Sequence, residues 1–211
     1  MSILIKERLA TLCVAAILLL AGCAEKGPIF LDIAYRPPAA KSLGISDTVI
    51  GISRIRDGRG IAPSVLGKRI VASGMENDLV TEGTVADRVT TALKDAMRDH
   101  GITVKDAAFW DMTPEGMPEG GYNLLIGGEI ESLWLDSVSV PFKTSLKASV
   151  RMKIAIGDVA EKKVLRVVDV KSKIDEDILY SREKLADLLS EALSSALDQI
   201  FQDDVLRSKI H

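Results

Sequence analysis

Hydrophobic positions along this chain recur with two different periods, and the switches between them mark out the elements. Thr48 to Ile55 is rich in β-branched residues and runs into Asp57-Gly58-Arg59-Gly60, where the glycines invite a sharp turn, so it predicts a first core strand. Between Ile61 and Gly83 no period is sustained. Ile70-Val71 allows a short strand there, but Pro63, Gly67 and Gly74 interrupt the segment, which reads as a long loop. Val85, Val89, Leu93 and Met97 then recur at helical spacing, with Thr84 and Asp87 forming an approximate capping box, which predicts a helix from Val85 to His100. Ile102 to Val104 follows Gly101 as a strand would, and the breakers between Thr113 and Gly121 make a loop.

The second half is more regular. Tyr122 to Asp136 carries Leu124, Ile126, Ile130, Leu133 and Leu135 and predicts a long strand, with Gly127-Gly128 placed for a bulge or a close approach. Leu146, Ala148, Val150, Met152, Ile154 and Ile156 alternate with Lys147, Ser149, Arg151, Lys153 and Ala155, a period of two with one buried and one cationic face. A loop from Gly157-Asp158 to Lys163 returns the chain along Val164 to Ile174 as the second arm of an antiparallel hairpin. Leu185, Leu188, Leu189, Ala192, Leu193, Ala196, Leu197, Ile200 and Phe201 trace a final amphipathic helix, with Ser181 as its N-cap. The order predicts an α+β fold, an α/β two-layer sandwich in which a mainly antiparallel sheet carries two amphipathic helices packed on one face. Residues 47–211 form its single domain, with no internal repeat.

The first residues follow another logic. Lys6 and Arg8 precede an apolar run from Leu9 to Leu20, and Ala21-Gly22 then leads into Cys23. Charged start, short apolar stretch and small-residue exit make a secretory signal, since a permanent bilayer helix needs about 20 apolar residues. Leu20-Ala21-Gly22-Cys23 resembles the lipobox of bacterial lipoproteins, in which the cysteine takes a diacylglyceryl group before cleavage. Residues 1–22 are thus expected to leave as a lipoprotein signal peptide, with Cys23 as the lipid attachment site and 23–46 as lipidated cysteine and tether. Within that tether, Ile29 to Tyr35 is apolar enough to lie on the edge of the domain as a strand, stopped by Pro37.

Charge and candidate chemistry narrow the functional classes. The formal net charge is −3, and it becomes −4 once Lys6, Glu7 and Arg8 leave, which argues against nucleic acid as a partner. Cys13 would leave with the signal and Cys23 would be acylated, so neither a disulfide nor a cysteine metal site is expected. His100 and His211 are the only histidines, one at a helix end and one at the last position, and Ser64 stands in no nucleophile frame. Gly60 and Gly67-Lys68 miss the spacing of a phosphate loop. Asp175-Glu176-Asp177 suggests at most a cation cluster but reads better as a solvated turn before the last helix, and Glu129 with Glu131 as exposed strand carboxylates. The expectation is a non-enzyme with no cofactor and no metal. Trp110 and Trp134, together with Lys147, Arg151 and Lys153, are the residues to which a partner could bind.

The mature layout resembles the YajG-like family of bacterial outer-membrane lipoproteins. The matching pieces are the lipobox, Leu31-Asp-Ile-Ala-Tyr35 followed by Pro37, and the turn Arg56-Asp57-Gly58-Arg59. The helix before His100-Gly101-Ile102, the central hairpin and the end at Gln202-Asp203-Asp204 also correspond. A second resemblance is to the auxiliary lipoproteins of ABC-type envelope transport systems. The first implies a protein held in the cell outer membrane on its periplasmic face, with no established enzymatic activity and no catalytic residues. Ala24 after the cysteine, where aspartate would favour inner-membrane retention, fits that location. The partners then expected are the membrane, through lipid at Cys23, and an envelope protein; the alternative is an auxiliary subunit of an envelope lipid or ABC-type transporter.

Overall fold

The computed structural model describes residues 27–37 and 48–210. Residues 1–26, with the expected signal segment and Cys23, residues 38–47 and His211 lie outside the described residues. The described strands are β1 (Ile29–Phe30), β2 (Val49–Ile52), β3 (Arg56–Asp57), β4 (Val65–Ile70), β5 (Glu76–Val80), β6 (Thr103–Asp106), β7 (Leu124–Val140), β8 (Lys143–Asp158) and β9 (Lys163–Ile178). Helices α1 (Val85–Asp99), α2 (Arg182–Asp198) and α3 (Asp204–Ile210) complete the α+β fold.

All nine strands join one mixed sheet. Its frame is the meander β7-β8-β9, paired antiparallel almost end to end. On its other side β7 takes parallel partners in succession along its length: β2, then β3, then β4. The predicted antiparallel hairpin is this β8-β9 pair, longer at both ends than the sequence pattern suggested. α1 and α2 pack on one face of the sheet, over Leu124, Ile126, Ile130, Leu133 and Leu135 of β7 and the inward row of β8 from Leu146 to Ile156. Burying each of these side chains contributes roughly 1.5–3 kcal/mol, which makes this shared layer the main source of stability.

Both helix starts follow from their caps. Thr84 Oγ accepts a hydrogen bond from the Asp87 amide at 3.1 Å and donates to the Asp87 carboxylate at 2.7 Å. Ser181 Oγ accepts from the Lys184 amide. The last helix does not run on through Phe201: α2 stops at Asp198, a 3-10 turn spans Gln199–Gln202, and α3 begins after Asp203. Asp203 restarts it, because its carboxylate accepts from the amides of Val205 and Leu206 and so satisfies first-turn donors.

Four expectations are corrected. Ile61 to Gly83 is mostly not loop: β4 and β5 form an antiparallel hairpin that turns through Gly74, at φ 80°. Gly67, read as a breaker, is a close-approach residue, since a Cβ there would lie 1.9 Å from the Leu135 carbonyl oxygen on β7. Asp175, Glu176 and Asp177 belong to β9 and not to a turn. The first core strand is divided after Ser53, whose amide still donates to Ile126 of β7 at 2.8 Å and whose hydroxyl accepts from the Trp110 amide at 2.8 Å; the Ile55 amide instead donates to Thr90 of α1 at 3.0 Å.

Ile29 to Pro37 is an extended strap across the helices. Ile29, Leu31, Ile33 and Tyr35 are buried in alternation. The amides of Ala34 and Arg36 donate to Ser190 and Ser194 of α2 at 3.2 and 2.8 Å, while Asp32 pairs with Arg88 of α1 at 3.0 Å.

Candidate functional site

The face of the sheet turned away from the helices is divided in two. At one end the loop between β6 and β7 folds over it and buries Trp110, Met117 and Tyr122 against Leu125 and Ala155. Trp110 is only 1% exposed, and its indole nitrogen donates to the Thr113 carbonyl at 2.7 Å. The glycines of the strands admit it. A Cβ on Gly127 would stand 2.9 Å from the Trp110 ring, and one on Gly157 would meet Met117 at 2.6 Å. Gly127 and Gly128 therefore serve close approach, whereas the β7 bulge falls at Glu131, between the pairs Ile130–Met152 and Ser132–Arg151. Trp110, singled out as a binding residue, lies inside the fold and offers no surface.

Beyond that loop the middle of the face is exposed and polar. The outward row of β8 is Lys143, Ser145, Lys147, Ser149, Arg151 and Lys153, as the alternation predicts. Its register partners on β9 place Lys173 beside Ser149 and Lys171 beside Arg151. On the other flank Trp134 stands beside Ser149 and Asp136 beside Lys147. The structure thus brings Trp134, Lys147, Arg151 and Lys153 onto one face and adds Lys171 and Lys173, which sequence reasoning missed. Their period-two spacing on β9 is visible in the sequence, but which row of β9 shares the β8 cationic face depends on the hairpin register.

The charges on this face are unevenly compensated. Lys153 pairs with Glu131 at 2.7 Å, which raises its pKa, and Lys173 pairs with Asp175 at 3.2 Å. Lys147, Arg151 and Lys171 make no ion pair among the described residues. Arg151, Lys171 and Lys173 line a shallow depression of about 670 Å³ with Ser132, Ser149 and Glu131. At the bulge Glu131 has no register partner on β8 and borders this depression. Trp134 is half-buried on the neighbouring strand, with its indole nitrogen donating to Asp136 at 2.8 Å.

The other candidate chemistries are used structurally. Glu129 binds Arg56 at 2.5 Å, and Glu131 binds Lys153. Asp177 is held by Lys143 at 2.8 Å and Ser145 at 2.6 Å, contacts that lower its pKa. Asp57 and Arg59 form a two-pronged pair at 2.8 Å, and Arg59 also donates to the carbonyls of Val65 and Leu133. That pair locks the turn after β3 onto β4 and β7. His100 stacks on Phe201, with centroids 3.7 Å apart, and its Nδ1 lies 2.9 Å from the Ala96 carbonyl. Asp198 is pushed up by burial and accepts from the Tyr35 hydroxyl at 2.8 Å. The hydroxyl of Ser194, beside it, donates to the Ser190 carbonyl. Among the described residues no group of three His, Cys, Asp or Glu could hold a metal ion, and no helix is long and apolar enough to cross a membrane.

The sequence matches no family model and no curated protein. Solved structures are similar to it. A Xanthomonas campestris protein of family DUF330 aligns over 85% of this chain and 95% of its own, at 8% identity and a TM-score of 0.56. A lipoprotein of Neisseria meningitidis aligns over 74% of this chain and 99% of its own, at 12% identity and a TM-score of 0.37. At such identities the likeness is one of fold, and the chain shares its α+β architecture with the Xanthomonas protein.

Proposed function

We propose that this chain is a non-enzymatic lipoprotein of the bacterial envelope, related to the YajG-like proteins. It is cleaved before Cys23, anchored by lipid in the outer membrane facing the periplasm, and binds an acidic surface of another envelope protein. The observation that carries the binding reading is Arg151 and Lys171, like-charged register partners without an ion pair among the described residues, lining a depression of about 670 Å³ on a sheet face that no described helix covers. Like-charged neighbours on adjacent strands oppose one another, so strand pairing gives no reason for Arg151 to stand opposite Lys171. An incoming carboxylate relieves that repulsion, and guanidinium geometry favours a planar acidic group. The non-enzymatic reading is supported by the structural employment of Asp57, Asp198, Ser194 and His100.

The test is photo-crosslinking from Ser149 in intact cells. One envelope protein should be captured, and Arg151→Glu with Lys171→Glu should abolish the capture while leaving the protein folded. Unchanged capture in that double variant rules this face out. Recovery of a transporter permease as the captured protein would turn the reading toward an auxiliary transport subunit.

A further inference from the structure

At the end of the sheet farthest from the β8-β9 turn, β7 and β8 are joined by Pro141 and Phe142 alone, because Val140 and Lys143 are register partners. Proline presets the first position of such a turn, while the second, at positive φ, belongs ordinarily to glycine or asparagine. Here Phe142 occupies it at φ 65°. A bulky side chain in that region is strained, and this one is also 94% exposed. Neither feature stabilises the fold in water. Around it stand further exposed apolar residues. Val138 and Val140 share the outer row of β7 with Ile70 beside Val138 on β4, and Leu179, 76% exposed, follows the end of β9 next to Thr144.

A second observation is the direction from which the chain enters the fold. Ile29 is level with Leu79, Leu79 with Gly67, and Gly67 with Leu135. β1 runs antiparallel to β7, so the chain arrives at Ile29 from the side where Val140 and Phe142 lie. Six residue steps lead from Cys23 to Ile29 and can span at most about 20 Å, while the seven steps of strand from Leu135 to Phe142 extend about 24 Å. A lipid on Cys23 and the Phe142 tip can reach one plane.

We infer that the Pro141-Phe142 tip, with Val140 and Leu179, dips into the lipid interface of the membrane that holds the Cys23 anchor, as a second contact that fixes the domain's orientation. The inference rests on the anchoring proposed above. Depth is limited by Asp177, level with Ser145 and three residues from Phe142, or about 10 Å. Its carboxylate, paired with Lys143, stays in water, and Lys143 itself sits at the height of the lipid headgroups. Only the turn enters, as far as interfacial elements usually do. The sheet then stands upright on the membrane, with its cationic face turned sideways toward neighbouring proteins.

The test uses the full-length lipidated chain in vesicles of phosphatidylethanolamine and phosphatidylglycerol. Phe142→Cys is labelled with an environment-sensitive fluorophore, and Glu161→Cys, at the opposite turn, is the control. Lipid-borne quenchers should quench the label at 142 several-fold more than at 161, with blue-shifted emission at 142 only; Leu179→Cys should behave like Phe142→Cys. Equal exposure to water at 142 and 161 while the protein remains on the vesicles overturns the inference and leaves the anchor standing. A blue shift at 142 without lipid quenching also overturns it, because protein then covers the tip. Cys23→Ser tests the anchor separately: release from cell membranes supports it, and undiminished retention refutes it whatever the label reports.

Discussion

The Asp57–Arg59 pair sits at the junction of three strands. The Arg59 side chain is 3% exposed, and its guanidinium satisfies the carbonyls of Val65 and Leu133 besides the carboxylate. Removing one partner of a buried pair typically costs 3–5 kcal/mol, because the other is left uncompensated. Arg59→Ala should therefore lower the unfolding free energy by about 3 kcal/mol in urea titrations, and Arg59→Lys should not restore it, since an ammonium cannot make the two-pronged contact. The hydrogen bond from Arg59 holds the Asp57 pKa below its ordinary value. A carboxylate depressed in the fold stabilises above its unfolded pKa of about 3.9 and loses that contribution as pH falls through its folded value. The gap between wild type and Arg59→Ala should accordingly shrink on acidification below about pH 4. Asp198 has the opposite sign, because burial raises its pKa, and its ionisation weakens the fold as pH rises through that raised value. The Tyr35 hydroxyl opposes the shift. In Tyr35→Phe the Asp198 pKa should move further up in a carboxyl NMR titration, with about 1–2 kcal/mol of stability lost.

Among the elements, the β4-β5 hairpin shows how a sequence pattern misleads. Its glycines and Pro63 carry the signature of a loop, yet the hairpin is inserted between β1 and β7. Gly67 is required because β7 passes too close for a Cβ, a fact held by Leu135, some seventy residues away. Gly67→Ala should therefore break the parallel pairing of β4 with β7 and destabilise by about 3 kcal/mol, with fast hydrogen exchange spreading through β4 and β5. The helices and the long hairpin were legible because their periodicity is local. The divided first strand was not, because the Ile55 amide turns to Thr90 of α1 and the Ser53 hydroxyl meets Trp110, and nothing near either residue in sequence announces those partners.

For the whole molecule, the proposed interface is electrostatic and should respond to salt. Charge reversal at Arg151 and Lys171 should change unfolding stability by less than about 0.5 kcal/mol, since both are surface residues remote from caps and core. Partner capture should fall steeply in both the variant and high salt, because exposed charges are screened beyond about 8 Å at physiological ionic strength. The sequence by itself determined the α+β class, the two capped helices, the alternating cationic strand and the resemblance at Leu20-Ala21-Gly22-Cys23, all carried by spacing within a few residues. Only the tertiary structure decided that Trp110 is interior while Trp134 borders the open face, that Lys171 and Lys173 join Arg151, and that the Phe142 turn and the entry to Ile29 share one end of the sheet. These depend on which strands pair and in what register, and register is set by close approaches such as Gly67 on Leu135 between residues far apart in the chain.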